Sequence, residues 1–149
     1  MFLAPIIATI LGCTDMATIF SFTDMTPIER AIWQVESSQH PGGVPFYGDG
    51  GAAAGPFQIH KGYWIDSGIG GKYPQDLFDL KTSVRCFRGF MGRYAVPHRI
   101  PDGMSLYEAM ARMHVGGPKA LYATGKKKEH CDKYWENVQE ALKKGQGDM

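Results

Sequence analysis

Apolar residues recur at helical spacing along most of the chain after Met25. Thr26, Pro27, Ile28 and Glu29 read as a helix start: threonine caps, proline suits the first turn and Glu29 completes a capping box. Ile28, Ile32 and Val35 then fall on one face, and the helix is expected to stop near Gln39, ahead of Pro41, Gly42 and Gly43. Residues 40–56, HPGGVPFYGDGGAAAGP, predict a loop or short hairpins, because glycine permits tight turns. Val44, Phe46 and Tyr47 argue that this segment packs rather than serving as a linker. A short helix is expected over 61–66 and a longer one over 79–95, with Val84, Phe87, Met91 and Tyr94 along its face. Ser105 and Glu108 form a second capping box, opening a helix that carries Leu106, Met110 and Met113 and ends at Gly116, Gly117 and Pro118. A last helix is expected over 129–142, with Cys131, Tyr134, Trp135, Val138 and Leu142 on one side, followed by a disordered tail, 143–149. The pattern is that of an α+β chain, mostly α, with a small β or loop region inserted after the first helix.

Composition narrows the function classes. A chain of 149 residues suits one domain, placed at 26–142. A net charge of +1 gives no basic stripe, so no nucleic-acid partner is expected. Lys126, Lys127, Lys128, Lys143 and Lys144 read as a solvated face and tail, or as mild attraction to an anionic polymer. Cys13, Cys86 and Cys131 fit no zinc pattern; the last two read as small buried thiols, with a single disulfide left open. The histidines form no ligand pair, so neither metal nor cofactor is expected. The apolar start, MFLAPIIATILGC, is like the core of an export signal without its basic residues, and is shorter than the ~20 residues that span a bilayer. Residues 1–25 are read as a leader or a buried N-terminal segment, and the chain as an exported monomer.

Two carboxylates stand out. Glu36 lies at the edge of the first helix's apolar stripe, in its last turn. Partial burial and the negative end of the helix dipole both disfavour a charged carboxylate there. A carboxyl kept protonated near neutral pH can donate a proton to a glycosidic oxygen, although an exposed helix glutamate satisfies the same pattern. Asp49, thirteen positions on, sits among glycines in a loop able to fold back over the helix end. Retaining glycosidases place two carboxyl groups ~5 Å apart; equally, Asp-Gly is a common turn. Tyr47 and Tyr63 are candidates for stacking on sugar faces, with Trp64 as packing. Gln58 either hydrogen-bonds substrate or holds the loop. His114 reads as a structural histidine at a helix end, with glycines after it that permit a ligand's close approach.

The ordered series AIWQVESS, GDGGAAAGPFQIHKGYWIDSG, FMGRYA, ARMHVGGP and KYWENVQ resembles the invertebrate-type lysozyme and destabilase family. The first block and GPFQI also resemble the soluble lytic transglycosylases of the same lysozyme-like superfamily. The likeness runs over 26–142. It implies a lysozyme-like fold, a peptidoglycan or chitin-like glycan substrate, Glu36 as general acid and base, and Asp49 as the second carboxylate. Tyr47, Gln58, Tyr63 and His114 are the expected substrate-side residues. The chain departs from the family in its few cysteines. It also has Ala52, Ala53 and Ala54 where the family usually carries a serine, so isopeptidase activity is not expected, although Lys61 and Ser67 lie nearby. The alternatives are a transglycosylase using Glu36 alone and a catalytically silent wall-binding module.

Overall fold

The computed structural model describes residues 20–147. The first helix, α1 (Pro27–Ser37), starts as its sequence demands: Thr26 N donates to Glu29 Oε2 at 2.8 Å while Thr26 Oγ1 accepts from Glu29 N. The same glutamate does a second job. Buried among apolar neighbours, it takes Arg88 Nε at 2.7 Å and Nη2 at 2.9 Å, a bidentate pair that ties α1 to the helix over Leu80–Tyr94. The helix ends at Ser37, slightly short of the expected stop, because Ser38 and Gln39 both adopt left-handed backbone angles, φ 51° and 63°.

The chain then returns. Trp33 Nε1 donates to the His40 carbonyl at 2.9 Å, and the His40 ring stacks on Phe46 with centroids 4.5 Å apart. The glycine-rich segment forms a three-stranded antiparallel sheet, β1 (Tyr47–Gly48), β2 (Ala53–Ala54) and β3 (Ile59–His60), in that spatial order. Its register pairs Tyr47 with Ala54 and Ala54 with Ile59. Tyr73 Oη staples it by donating to the carbonyls of Ala52 and Ile59. Short α2 (Lys61–Ser67) follows, then α3 (Leu80–Tyr94), capped by Asp79, whose Oδ2 accepts from Thr82 N at 2.8 Å.

The helix α4 (Leu106–Gly116) lies against α1, α3 and the last helix, over Gly125–Gly147. Its buried positions include Ala109 and Ala111, small enough for neighbouring helices to close around it, together with Met113. Leu106, expected on this face, is exposed instead. The expected capping box is half made. Ser105 Oγ accepts from Glu108 N, but the Glu108 carboxylate turns to Arg112, 2.8 Å away, where a charged partner outcompetes a backbone amide. The last helix, α5 (Gly125–Gly147), is longer than expected at both ends and takes in 143–147 of the predicted tail. Its first turns are held by Lys128 and Arg112, which both pair with Asp132 at 2.6 Å.

The core is continuous from α1 through α3 and α4 to α5, with Ile32, Phe57, Phe87, Phe90, Met113 and Val138 at its centre. Met25, assigned by sequence to the leader, belongs to this core; most of the leader, with Cys13, lies outside the described residues. Cys86 and Cys131 are buried and free. Among the described residues no helix is long and apolar enough to cross a membrane, and no His, Cys, Asp and Glu side chains gather as a metal site.

Candidate active site

Glu36 points inward from the last turn of α1, its side chain only 17% exposed. One oxygen, Oε1, is claimed by two other helices. Tyr134 of α5 donates its hydroxyl to Oε1 at 2.6 Å. His114 of α4, with a side chain 3% exposed, places Nε2 at 3.3 Å from the same oxygen. That nitrogen also lies 3.1 Å from the carbonyl oxygen of Phe57. A carbonyl only accepts, so Nε2 carries a hydrogen. Nδ1 is then free to accept from Tyr63 Oη, 3.1 Å away on α2. Two helices thus meet at one carboxyl group of α1, and α2 joins through His114.

Aromatic rings wall this network. Tyr63 stacks face to face on Phe90 at 3.7 Å, and Phe57 and Phe87 flank the His114 ring at 6.2 and 5.7 Å. Burial, and then the nearby Cys86 and Glu36, push the Tyr63 phenol well above its ordinary range. Burial, followed by the Glu36 carboxylate, does the same to Tyr134. Both hydroxyls therefore stay protonated and remain donors.

Asp49 stands in a different setting. It opens the 3₁₀ turn between β1 and β2 with φ 50°, a left-handed angle that aspartate tolerates better than most residues. Its carboxylate is 70% exposed and meets His60 Nε2 of β3 at 2.9 Å. Gln58, also left-handed at φ 49°, donates from Nε2 to the Gly55 carbonyl at 3.0 Å. The Gln58 amide lies against Gly48, where an added Cβ would meet Oε1 and displace it. Gln58 therefore braces the turn that presents Asp49. Its neighbour Phe57 supplies the carbonyl that faces His114, so adjacent residues of one segment touch the surroundings of both carboxylates.

The structure brings Glu36, His114 and Tyr63 together, His114 standing within 3.3 Å of Glu36 and hydrogen-bonded to Tyr63, and places Asp49 and Gln58 in the hairpin. Tyr47 is exposed, with its ring edge-on to Phe78 at 5.2 Å. Tyr63 has one ring face covered by Phe90, and its hydroxyl is spent on His114. Ser67, near the missing family serine, is buried and donates to the Trp64 carbonyl at 2.6 Å. Lys61 is exposed. Tyr134 was read as a core position of the last helix. The signal for more was its hydroxyl, since a buried tyrosine needs a polar partner where phenylalanine would not. A separate hollow of about 420 Å³, lined by Phe22, Arg30, Gln34, Leu142 and Lys144 among others, does not include Glu36. The hydrogen bonds, rather than this hollow, single out the site.

No protein-family model matches the chain. It is 35% identical over 111 residues to Lysozyme 1 of Crassostrea virginica, covering 74% of this chain and 55% of that protein. It is 36% identical over 91 residues to the invertebrate-type lysozyme of Ruditapes philippinarum, covering 60% of this chain and 61% of that one. The chain thus spans little more than half the length of these curated relatives. Among solved structures, the lysozyme of Tapes japonica superposes with a TM-score of 0.61 at 30% identity, covering 77% of this chain and 88% of that chain. The lysozyme of Meretrix lusoria, solved in complex with Aeromonas hydrophila PliI, gives 0.62 at 26% identity, covering 78% and 88%.

Proposed function

Because this chain belongs to the invertebrate-type lysozyme family, we propose that it is a peptidoglycan hydrolase, cleaving the β-1,4 bond between N-acetylmuramic acid and N-acetylglucosamine. The observation that carries this reading is the enclosed carboxyl group of Glu36, hydrogen-bonded on one oxygen and mostly withdrawn from water. In this role Glu36 protonates the leaving glycosidic oxygen, then takes a proton from the attacking water. Asp49, on the braced turn, stabilises the oxocarbenium-like sugar or forms a covalent adduct with it. The exposed ring of Tyr47 offers a face for a sugar. His114 holds backbone and carboxylate together, which supports a structural role for it. Export, expected from the apolar start, is the route by which such an enzyme reaches a cell wall.

The test is clearing of a cell-wall suspension by the protein and by Glu36→Gln. Clearing by the parent and its loss in the variant are expected; equal rates would remove Glu36 from the mechanism. A parent that binds walls without clearing them is a silent module. The engagement of Asp49 by His60 supports a second reading, in which Asp49 is held off the sugar and Glu36 acts alone as in a transglycosylase. Mass spectrometry of the digest separates the two: reducing ends come from hydrolysis, 1,6-anhydro-muramic ends from transglycosylation.

A further inference from the structure

Resting on the reading of Glu36 as the acid, we infer that Tyr134 is a positioning residue that confines the transferable proton to Glu36 Oε2 and steadies the carboxylate left behind. Oε1 accepts a hydrogen from Tyr134 Oη at 2.6 Å, while His114 Nε2, whose hydrogen faces the Phe57 carbonyl, lies 3.3 Å from it. The oxygen of a carboxyl group that carries no hydrogen is the better acceptor, so the oxygen that takes the Tyr134 hydrogen is the one without a hydrogen of its own. Among the described residues Oε2 has no hydrogen-bond partner, so the proton resides there, on the oxygen left free to meet a substrate.

The proton transfer then has a defined course. The Oε2–H bond breaks, its proton joins the glycosidic oxygen, and the electron pair of the breaking C1–O bond goes to that oxygen. The negative charge left on Glu36 spreads to Oε1, where the Tyr134 hydroxyl already points. Hydrogen bonds to a charged acceptor are stronger than those to a neutral one, so this one tightens as the reaction proceeds. An interaction that strengthens toward the transition state raises kcat rather than binding. The helix α5 holds this donor in place before substrate arrives, so no reorganisation is needed. The titratable groups facing Glu36 are Tyr134 from α5, His114 from α4 and, through His114, Tyr63 from α2. On the hairpin, Asp49 and His60 pair with each other. The buried phenol of Tyr134 stays protonated across the working range, so it remains a donor throughout.

Tyr134→Phe keeps the ring and removes the donor. The expected result is a fall in kcat of roughly tenfold or more, with KM nearly unchanged. The alkaline limb of the pH–rate profile, where the acid loses its proton, moves to higher pH because the carboxylate has lost a stabilising donor. Site-specific replacement of Tyr134 by 3-fluorotyrosine, a stronger donor of nearly the same shape, moves that limb to lower pH; this variant carries the test should Tyr134→Phe fail to fold. An alkaline limb unmoved in both variants, with thermal melting showing them folded, overturns the proposal, because packing alone leaves the limb in place. Glu36→Gln, assayed alongside, separates the layers. If it clears walls at the parent rate, the acid assignment fails and this inference with it. If it is inactive while the limb stays fixed, this inference alone fails.

Discussion

The two carboxylates of the site are held in opposite ways. Glu36 is held from a distance, by the Tyr134 hydroxyl on α5 and by His114 of α4 at 3.3 Å, and its side chain is only 17% exposed. Asp49 is held locally, by a glycine-flanked turn, a left-handed backbone and an exposed partner eleven residues along, in the same small sheet. A buried hydrogen bond stays strong because no water competes for its partners. An exposed ion pair is screened and contributes little to stability. The fold thus withdraws one carboxyl group from water and leaves the other exposed to it.

That contrast can be broken or sharpened from several directions. The largest effect is expected on the dry side. Phe87→Ala empties a core position beside His114, and urea unfolding should show a loss of ~3–5 kcal/mol. A loss below ~1 kcal/mol would mean that the Glu36 pocket is not continuous with the core. Next comes the junction between the two regions. Gly55 has φ 75°, and an added Cβ would collide with the Leu77 carbonyl oxygen, a backbone atom with little room to move. Gly55→Ala should therefore cost about 2 kcal/mol or more in the same assay. At the wet turn the effect on stability shrinks below ~1 kcal/mol. Asp49→Asn should melt with the parent while clearing of cell walls falls roughly tenfold or more. Full clearing by that variant would leave Glu36 working alone. The smallest effect is the absence of a reaction. Burial raises the Cys86 thiol to about 11 and raises Cys131 as well, against a weaker lowering by Ser67 at the former. Neither should be alkylated by iodoacetamide at neutral pH until the protein unfolds. Labelling of Cys86 or Cys131 in the folded protein, read by peptide mass mapping, would show that the helical core opens.

Much of the helical frame was legible without coordinates. Thr26 and Glu29 announce the start of α1, Asp79 and Ser105 precede α3 and α4, and apolar spacing marks the buried faces of α3 and α5. These signals act over a few residues, within reach of a single helical turn. The errors share a cause. Leu106 is apolar yet exposed, and Glu108 abandons its cap for Arg112, because partners outside the helix decide both. α5 extends through Gly147 although its charged end looks like a tail, since lysines are adequate helix formers and its neighbours Ala141 and Leu142 pack on the core.

The site divides along the same line. Glu36 and Asp49 were recognisable as an inward-edge glutamate and a glycine-flanked aspartate, because periodicity and turn chemistry are written locally. What Glu36 touches was not. Tyr134 lies ninety-eight residues away and His114 reaches it from a third helix, so that contact exists only once α1, α4 and α5 have packed. The sequence by itself determined which residues form helices, where the chain turns, and that an acid stands at a helix end. Only the tertiary structure decided which oxygen of that acid is bonded and which is free. Hydrogen bonds act over about 3 Å, and only folding brings such distant residues that close.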